Sequence, residues 1–358
     1  MEDSFRAILS RAAQTHRLTA AEIIPLLAAR GEAEQALFAA ADAVRAKWVG
    51  DDVHLRGLIE FSNYCHNDCL YCGLRRSNGR TRRYRMEPAD IVAVAKAGVN
   101  LGYRTIVLQS GDDPWYTSAV LAQVVEEIKK LGVAVTLSIG ERKKSEYRDL
   151  KLAGADRFLL KQETADPELY ARLHPGQSYH HRVECLEWLA ELGYQVGSGN
   201  MVGLPGQSLA TLAEDLLFLQ AKAVDMAGIG PFIPHPDTPL GGCRPGDVGL
   251  TLRVLAVARL LIPWAHLPAT TALATLDSEG REKGLRSGAN VIMPDLTPPP
   301  YHDAYEIYPG KGAPLPADYH AAVRKLVARV GRRVAATVGH SVKPGQVKRH
   351  GDRSAVQG

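Results

Sequence analysis

Beyond residue 52 the chain alternates between short apolar runs and longer stretches in which apolar positions return every three or four residues. The first pattern is that of a strand buried on both faces, the second that of a helix with one buried face. Strands are predicted over 53–61, 104–109, 133–138, 158–161, 195–201, 225–230, 267–270 and 290–293, with helices between them. Glu87-Pro88-Ala89-Asp90 opens one helix with proline near its start. A basic helix over 316–333 closes the series. Before residue 50 the spacing predicts two or three amphipathic helices, clearest over 20–27 and 34–48, which read as a cap on one end of a larger domain. Eight strands alternating with helices predict an α/β protein built as a complete (β/α)8 TIM-type barrel with an N-terminal helical cap; a half barrel would need fewer strands. The domains expected are a helical extension over 1–50, the barrel over 51–338 and a basic flexible tail over 339–358.

Composition changes this picture little. Apolar residues make up 46% and charged residues 23%, as in an ordinary globular enzyme. No run of 18 apolar residues is present, so no membrane span is expected. Met1-Glu2-Asp3-Ser4-Phe5-Arg6 lacks the basic and apolar regions of a secretory signal, which places the chain in the cytoplasm as an expectation. The formal net charge is +4, and most of it lies in the tail, where Lys343, Lys348, Arg349 and Arg353 face only Asp352. Such a tail is weak evidence for nucleic-acid binding, and no nucleic-acid partner is expected.

The strand ends carry the chemistry, as barrels require. The first is followed by Cys65-His66-Asn67-Asp68-Cys69-Leu70-Tyr71-Cys72-Gly73, which holds three of the five cysteines in the spacing C-x3-C-x2-C. The others end in Gln109-Ser110-Gly111, Thr136 with Ser138, Glu163-Thr164, Ser198 with Asn200, His235, Thr270-Thr271 and Met293. The cysteine spacing resembles that of radical S-adenosylmethionine (SAM) enzymes. There three thiolates hold a 4Fe-4S cluster and leave one iron open to chelate the amino and carboxylate groups of SAM. Structural zinc, with His54 or His66 as fourth ligand, is the competing reading, but the second paired module usual for zinc is missing. An odd count in tight spacing does not make a disulfide framework. Cys185 and Cys243 stand alone and read as ordinary thiols.

Around this loop the candidates divide by chemistry. Tyr71 holds the loop's aromatic position, beside the adenine of SAM or packed on the loop itself. Gln109, Ser110 and Gly111 form a glycine turn whose exposed backbone could meet the methionyl ammonium. Glu163 and Arg182 suit the two charged ends of SAM, with Ser138 adding a hydroxyl; two solvated charges are the plainer alternative. Arg56, Lys161, Thr270 and Thr271 are candidates for holding an anionic substrate, with Met293 at the same mouth. For Arg56, inward in a strand, a buried ion pair is the structural alternative. Tyr305 and Tyr308 could close over the site or simply pack.

With these residues assembled, the chain is similar to the HydE family, the radical-SAM maturases that help build the organometallic cluster of FeFe-hydrogenases; biotin synthase shares the barrel and the cysteine loop. The likeness runs from about residue 30 to about 312 and rests on strings such as Ile59-Glu60-Phe61-Ser62-Asn63, Cys69-Leu70-Tyr71-Cys72-Gly73-Leu74-Arg75-Arg76, Met201-Val202-Gly203-Leu204-Pro205-Gly206-Gln207 and Gly230-Pro231-Phe232-Ile233-Pro234-His235-Pro236. It implies Cys65, Cys69 and Cys72 as cluster ligands and Ser138, Glu163 and Arg182 as SAM contacts. It also implies a sulfur-containing, cysteine-bound iron carbonyl/cyanide precursor as substrate. The partners implied are other maturases, the hydrogenase and a reduced donor such as ferredoxin or flavodoxin. Two departures stand out. No cysteine follows Cys243, so the second cluster of some members is not expected, and Lys161 stands where the family carries arginine. A paralogue acting on an organic substrate and a metal-passing scaffold are the alternatives.

Overall fold

The structure is a computed structural model that describes residues 2–344. At its centre β1 (Asp52–Ser62), β2 (Thr105–Ser110), β3 (Ala134–Ser138), β4 (Arg157–Leu159) and β5 (Gln195–Ser198) lie side by side, all parallel. Beyond β5, β6 (Met201–Val202) pairs with β8 (Gly230–Pro231), while β7 (Met226–Ala227) pairs with β5. β9 (Val291–Ile292) returns to pair with His54 and Leu55 of β1. The ring closes through single parallel bridges, Met226 with His266 and Pro268 with Val291. This is the complete barrel expected, but its seventh strand is only those two bridges. Pro268 has no N–H to give a ladder, so the run expected over 267–270 cannot pair along its length. The strands expected over 195–201 and 225–230 are each broken in two. At Gly199 the chains approach so closely that a Cβ would lie 2.2 Å from the Gly228 carbonyl oxygen.

The core explains the apolar runs. Nearly all of β1 is buried, as in a strand covered on both faces. The helix Val248–Leu261 is buried continuously from Thr251 to Leu261, because the helices Glu2–Thr15, Ala20–Leu27 and Glu32–Val49 cover its outer side. Arg253 fixes that cover, donating from Nε to the Leu27 carbonyl (2.7 Å) and pairing with Glu34.

Two expectations near the C-terminus are corrected. The last helix spans Tyr319–Arg329, not 316–333. Gly331 in a left-handed conformation ends it, and β10 (Arg333–Val334) then pairs with Asp52 and Val53 at the base of β1. The basic tail does not begin at Gly339. Fully buried Arg157 donates to the carbonyls of Val338 and Gly339 at 2.7 Å each, the Ser341 N–H reaches Gln195 Oε1 at 2.9 Å, and Lys343 reaches the Ala223 carbonyl at 2.7 Å. Residues 338–343 therefore plug the barrel floor, because a buried guanidinium there needs more acceptors than Gln195 Oε1 and Thr105 Oγ1 of the strands supply. Lys348, Arg349, Asp352 and Arg353 lie outside the described residues. No helix among the described residues is long and apolar enough to cross a membrane.

Candidate active site

A cavity of about 400 Å³ runs from the C-terminal mouth of the barrel toward its floor. All three clustered cysteines line it, with Tyr71 between them. So do Gln109, Ser110 and Gly111 from β2, Ser138 from β3, and Lys161 and Glu163 after β4. Arg182, Thr270, Thr271, Met293, Tyr305 and Tyr308 complete the wall, and Arg56 lies at depth. Four strand-end residues turn elsewhere. Thr164 Oγ1 accepts from the Asp166 N–H. Ser198 bonds to the Leu160 carbonyl and Gln162, Asn200 points to Asp215, and the His235 ring accepts from the Asp237 N–H.

The cysteine loop has no regular structure, and neighbouring segments hold its backbone. His66 donates to the Asp112 carbonyl (3.0 Å), Leu70 to Leu173 (3.0 Å) and Gly73 to Ile307 (2.9 Å), while the Tyr71 carbonyl accepts from His235 (2.9 Å). A Cβ at Gly73 would sit 2.1 Å from the Glu306 carbonyl oxygen, so only glycine admits this contact. Two donors aim at the sulfurs: the Asp112 N–H at Cys65 Sγ (3.4 Å) and Gln177 Nε2 at Cys69 Sγ (3.3 Å). Burial pushes all three thiols up, Cys69 to about 12. Tyr71 is oriented by His174. Burial pulls that imidazole down to about 4, so it is neutral; Nδ1 donates to the Tyr170 carbonyl (2.8 Å) and Nε2 accepts from the Tyr71 hydroxyl (2.9 Å).

The glycine turn departs from expectation. Gln109 and Ser110 are half-buried and Gly111 is buried: Gly111 donates to the Ser62 carbonyl (3.0 Å), and Ser110 Oγ donates to the Gly111 carbonyl (2.6 Å). A Cβ at Gly111 would lie 2.1 Å from the Tyr64 carbonyl oxygen, so this glycine lets the turn pack on the cysteine loop. Opposite, Glu163 adopts φ 64, uncommon for a non-glycine residue, and its carboxylate lies 3.1 Å from Lys161 Nζ. Arg182, in the first turn of the helix Tyr179–Glu191, pairs with Glu141 and donates to the Lys161 carbonyl (2.9 Å) and Gln177 Oε1 (3.1 Å). Burial works against its charge, but Tyr170 and Glu141 more than reverse that. Glu141, Arg182, Gln177 and Cys69 thus form one hydrogen-bonded chain.

Deep in the cavity Arg56 is buried with Nη1 2.8 Å from Met226 Sδ and Nη2 3.4 Å from the Gly339 carbonyl. It has no carboxylate partner among the described residues, so the ion-pair alternative does not hold. Burial, then the charge of Arg157, pulls its pKa well down. Arg56 Nε and Thr136 Oγ1 are buried without hydrogen-bond partners. Thr270 spends part of its hydroxyl capping the helix Thr271–Leu276.

The sequence profile of the Radical SAM superfamily matches residues 59–219. Among curated proteins, the [FeFe] hydrogenase maturase subunit HydE of Thermotoga maritima is 53% identical over 301 residues, covering 84% of this chain and 86% of that protein. The chain belongs to the HydE family of radical SAM enzymes. It is also similar to the 3-methylornithine synthase of Methanosarcina barkeri, 30% identical over 302 residues and covering 83% and 85% of the two chains. The crystal structure of methylornithine synthase (PylB) superposes with a TM-score of 0.80 at 25% identity, covering 92% of this chain and 97% of that one.

Radical SAM family membership implies a 4Fe-4S cluster and SAM, and the residues of this HydE-family chain fit both. All three thiols line one cavity, with N–H donors directed at two of the sulfurs. Acidic and basic groups line the wall beside them, as a zwitterion needs. Several functional-looking residues escaped the sequence reading: Gln177, His174, Asp112 and, above all, Lys311. Lys311 Nζ lies 2.7 Å from Glu60 Oε1 and 3.0 Å from Asp295 Oδ2, all three buried. Burial drives Glu60 well up, whereas Lys311 and Thr297 hold Asp295 down against it. One lysine charge therefore faces two buried carboxyl groups whose proton affinities are driven in opposite directions. A glutamate in the otherwise apolar β1 was the available signal.

Proposed function

We propose that this chain acts in assembly of the di-iron subcluster of FeFe-hydrogenase, alongside the other maturases. In this reading Cys65, Cys69 and Cys72 hold a single 4Fe-4S cluster with one iron left for SAM. The substrate is a sulfur-containing, cysteine-bound iron carbonyl/cyanide precursor. When bound, cluster and SAM supply reductive cleavage of the sulfonium to methionine and a 5′-deoxyadenosyl radical. The chain's own residues supply placement. Glu163 and Arg182 take the charged ends of SAM with Ser138, and His174 fixes the Tyr71 ring. Gln109 Nε2 donates to the Tyr305 hydroxyl (3.3 Å), and Tyr305 and Tyr308 exclude water from the lower cavity. Arg56, which has no carboxylate partner among the described residues, receives the anionic substrate with Lys161, Thr270, Thr271 and Met293. The observation that carries the reading is the meeting of the cysteine loop with these groups in one cavity.

The test is anaerobic reconstitution with iron and sulfide, then EPR of the reduced protein with and without SAM. A 4Fe-4S signal that changes shape with SAM supports an open iron. A cluster indifferent to SAM at full iron content refutes it and favours the scaffold. A second measurement addresses the substrate end. Arg56→Met removes a buried unpaired charge and should stabilise the fold by about 1–2 kcal/mol in denaturant unfolding. The same variant should keep the SAM-dependent EPR change and lose hydrogenase maturation. Retained maturation would remove Arg56 from the substrate site.

A further inference from the structure

Resting on the reading of Cys65, Cys69 and Cys72 as cluster ligands, we propose that the arginine-rich face beside the cysteine loop docks the electron donor, an acidic FMN protein of the flavodoxin class. The segment 73–86 carries six arginines and no aspartate or glutamate, in a chain whose whole net charge is +4. Three of them are neutralised: Arg75 by Asp68 (2.8 Å), Arg80 by Asp237 (2.5 Å) and Arg85 by Asp113 (2.8 Å). Arg83 is a staple, its guanidinium donating to the carbonyls of Asn63, Leu74, Arg75 and Asn78. Arg76 and Arg82 are exposed, and neither has a carboxylate partner among the described residues. Hydrogen bonds tie these two to residues on either side of the first cysteine: Arg76 N–H donates to the Asn67 carbonyl, and the Asn63 side-chain Nδ2 donates to the Arg82 carbonyl, each at 2.8 Å.

Next to the first cysteine is an exposed aromatic pair. Tyr64, adjacent to Cys65, is 37% exposed with the Arg85 guanidinium 3.8 Å above its ring, and Trp115, 49% exposed, lies 5.4 Å from the same guanidinium. Exposed tyrosine and tryptophan sharing one arginine, in a segment rich in arginine, is the composition of a protein-docking surface. Its place, one residue from a cluster ligand, suits a partner that must bring an electron close, and its surplus positive charge selects an acidic one. The aromatic pair matches the apolar edge that a flavin exposes, whereas a ferredoxin cluster lies under polypeptide. On this surface one electron passes from the anionic flavin hydroquinone, leaving the neutral semiquinone, to the cluster, which goes from 2+ to 1+. No bond forms and no proton moves.

The experiment is anaerobic stopped-flow reduction of the reconstituted protein, followed by cluster absorbance, in wild type and R76E/R82E. The reductants are a reduced flavodoxin, a reduced plant-type ferredoxin and photoreduced 5-deazaflavin. At low salt the flavodoxin rate should fall about 10- to 100-fold in the variant and lose its salt dependence. Iron content and the deazaflavin rate should not change. R76Q/R82Q should show a smaller fall in the same direction. An unchanged flavodoxin rate, a loss shared with deazaflavin, or a loss confined to ferredoxin would each overturn the proposal. Failure of the cluster reading itself would appear earlier, as wild type without iron.

Discussion

Cys69→Ala should leave reconstituted protein with background iron in place of about four irons per chain. SAM cleavage should fall by roughly three orders of magnitude, about 4 kcal/mol on the barrier. No other cysteine lines the cavity: Cys185 is buried between Tyr147 and His181, and Cys243 packs in the small apolar cluster behind it that also takes Tyr71. The informative contrast is Gln177→Leu, which removes only the donor to Cys69 Sγ and the link to Arg182. That change should weaken cluster retention by about 10- to 100-fold without abolishing it, as losses behind a metal ligand do. Iron and sulfide analysis with single-turnover 5′-deoxyadenosine formation would check both. Wild-type iron content in Cys69→Ala would remove it from the ligand set.

Lys311→Met should destabilise the protein by about 3–5 kcal/mol, because it leaves Asp295 buried and ionised with no cation in direct contact except His302, 3.5 Å away if charged. The loss should also open the mouth, since Lys311 anchors the segment that brings Tyr305 and Tyr308 to the cavity and Ile307 to Gly73. Glu60→Gln should behave differently. The folded protein holds a proton on Glu60 above the ordinary carboxyl range. Folded chains thus bind more protons than unfolded ones, and wild-type stability from this group falls as pH rises above about 4.5. Glutamine keeps the shape without that proton, so the variant should gain on wild type with rising pH. Denaturant melts between pH 5 and 8 would show it. Equal losses in both variants would mean that Glu60 is ionised in the fold.

What could be read from the sequence was local. Strand–helix alternation in the hydrophobic pattern predicted the barrel, because strands covered on both faces need continuous apolar runs. The cysteine spacing marked the loop because its three cysteines lie within eight residues. The expected wall residues line one cavity because a barrel sends strand ends to one mouth. Boundaries failed where a single residue overrules the pattern, as Pro268 does in the seventh strand and Gly331 after the last helix.

Only the tertiary structure decided the rest, because it depends on segments far apart in the chain. Which neighbour reaches each sulfur was not legible: Gln177 and Asp112 come from different elements. A run that read as mobile tail became the barrel floor once buried Arg157 needed carbonyl acceptors. Lys311 looked like a loop residue until Glu60 and Asp295 surrounded it. The sequence alone determined which residue types were present and how often they recurred. Burial and pairing set what each charge costs, and they exist only after folding.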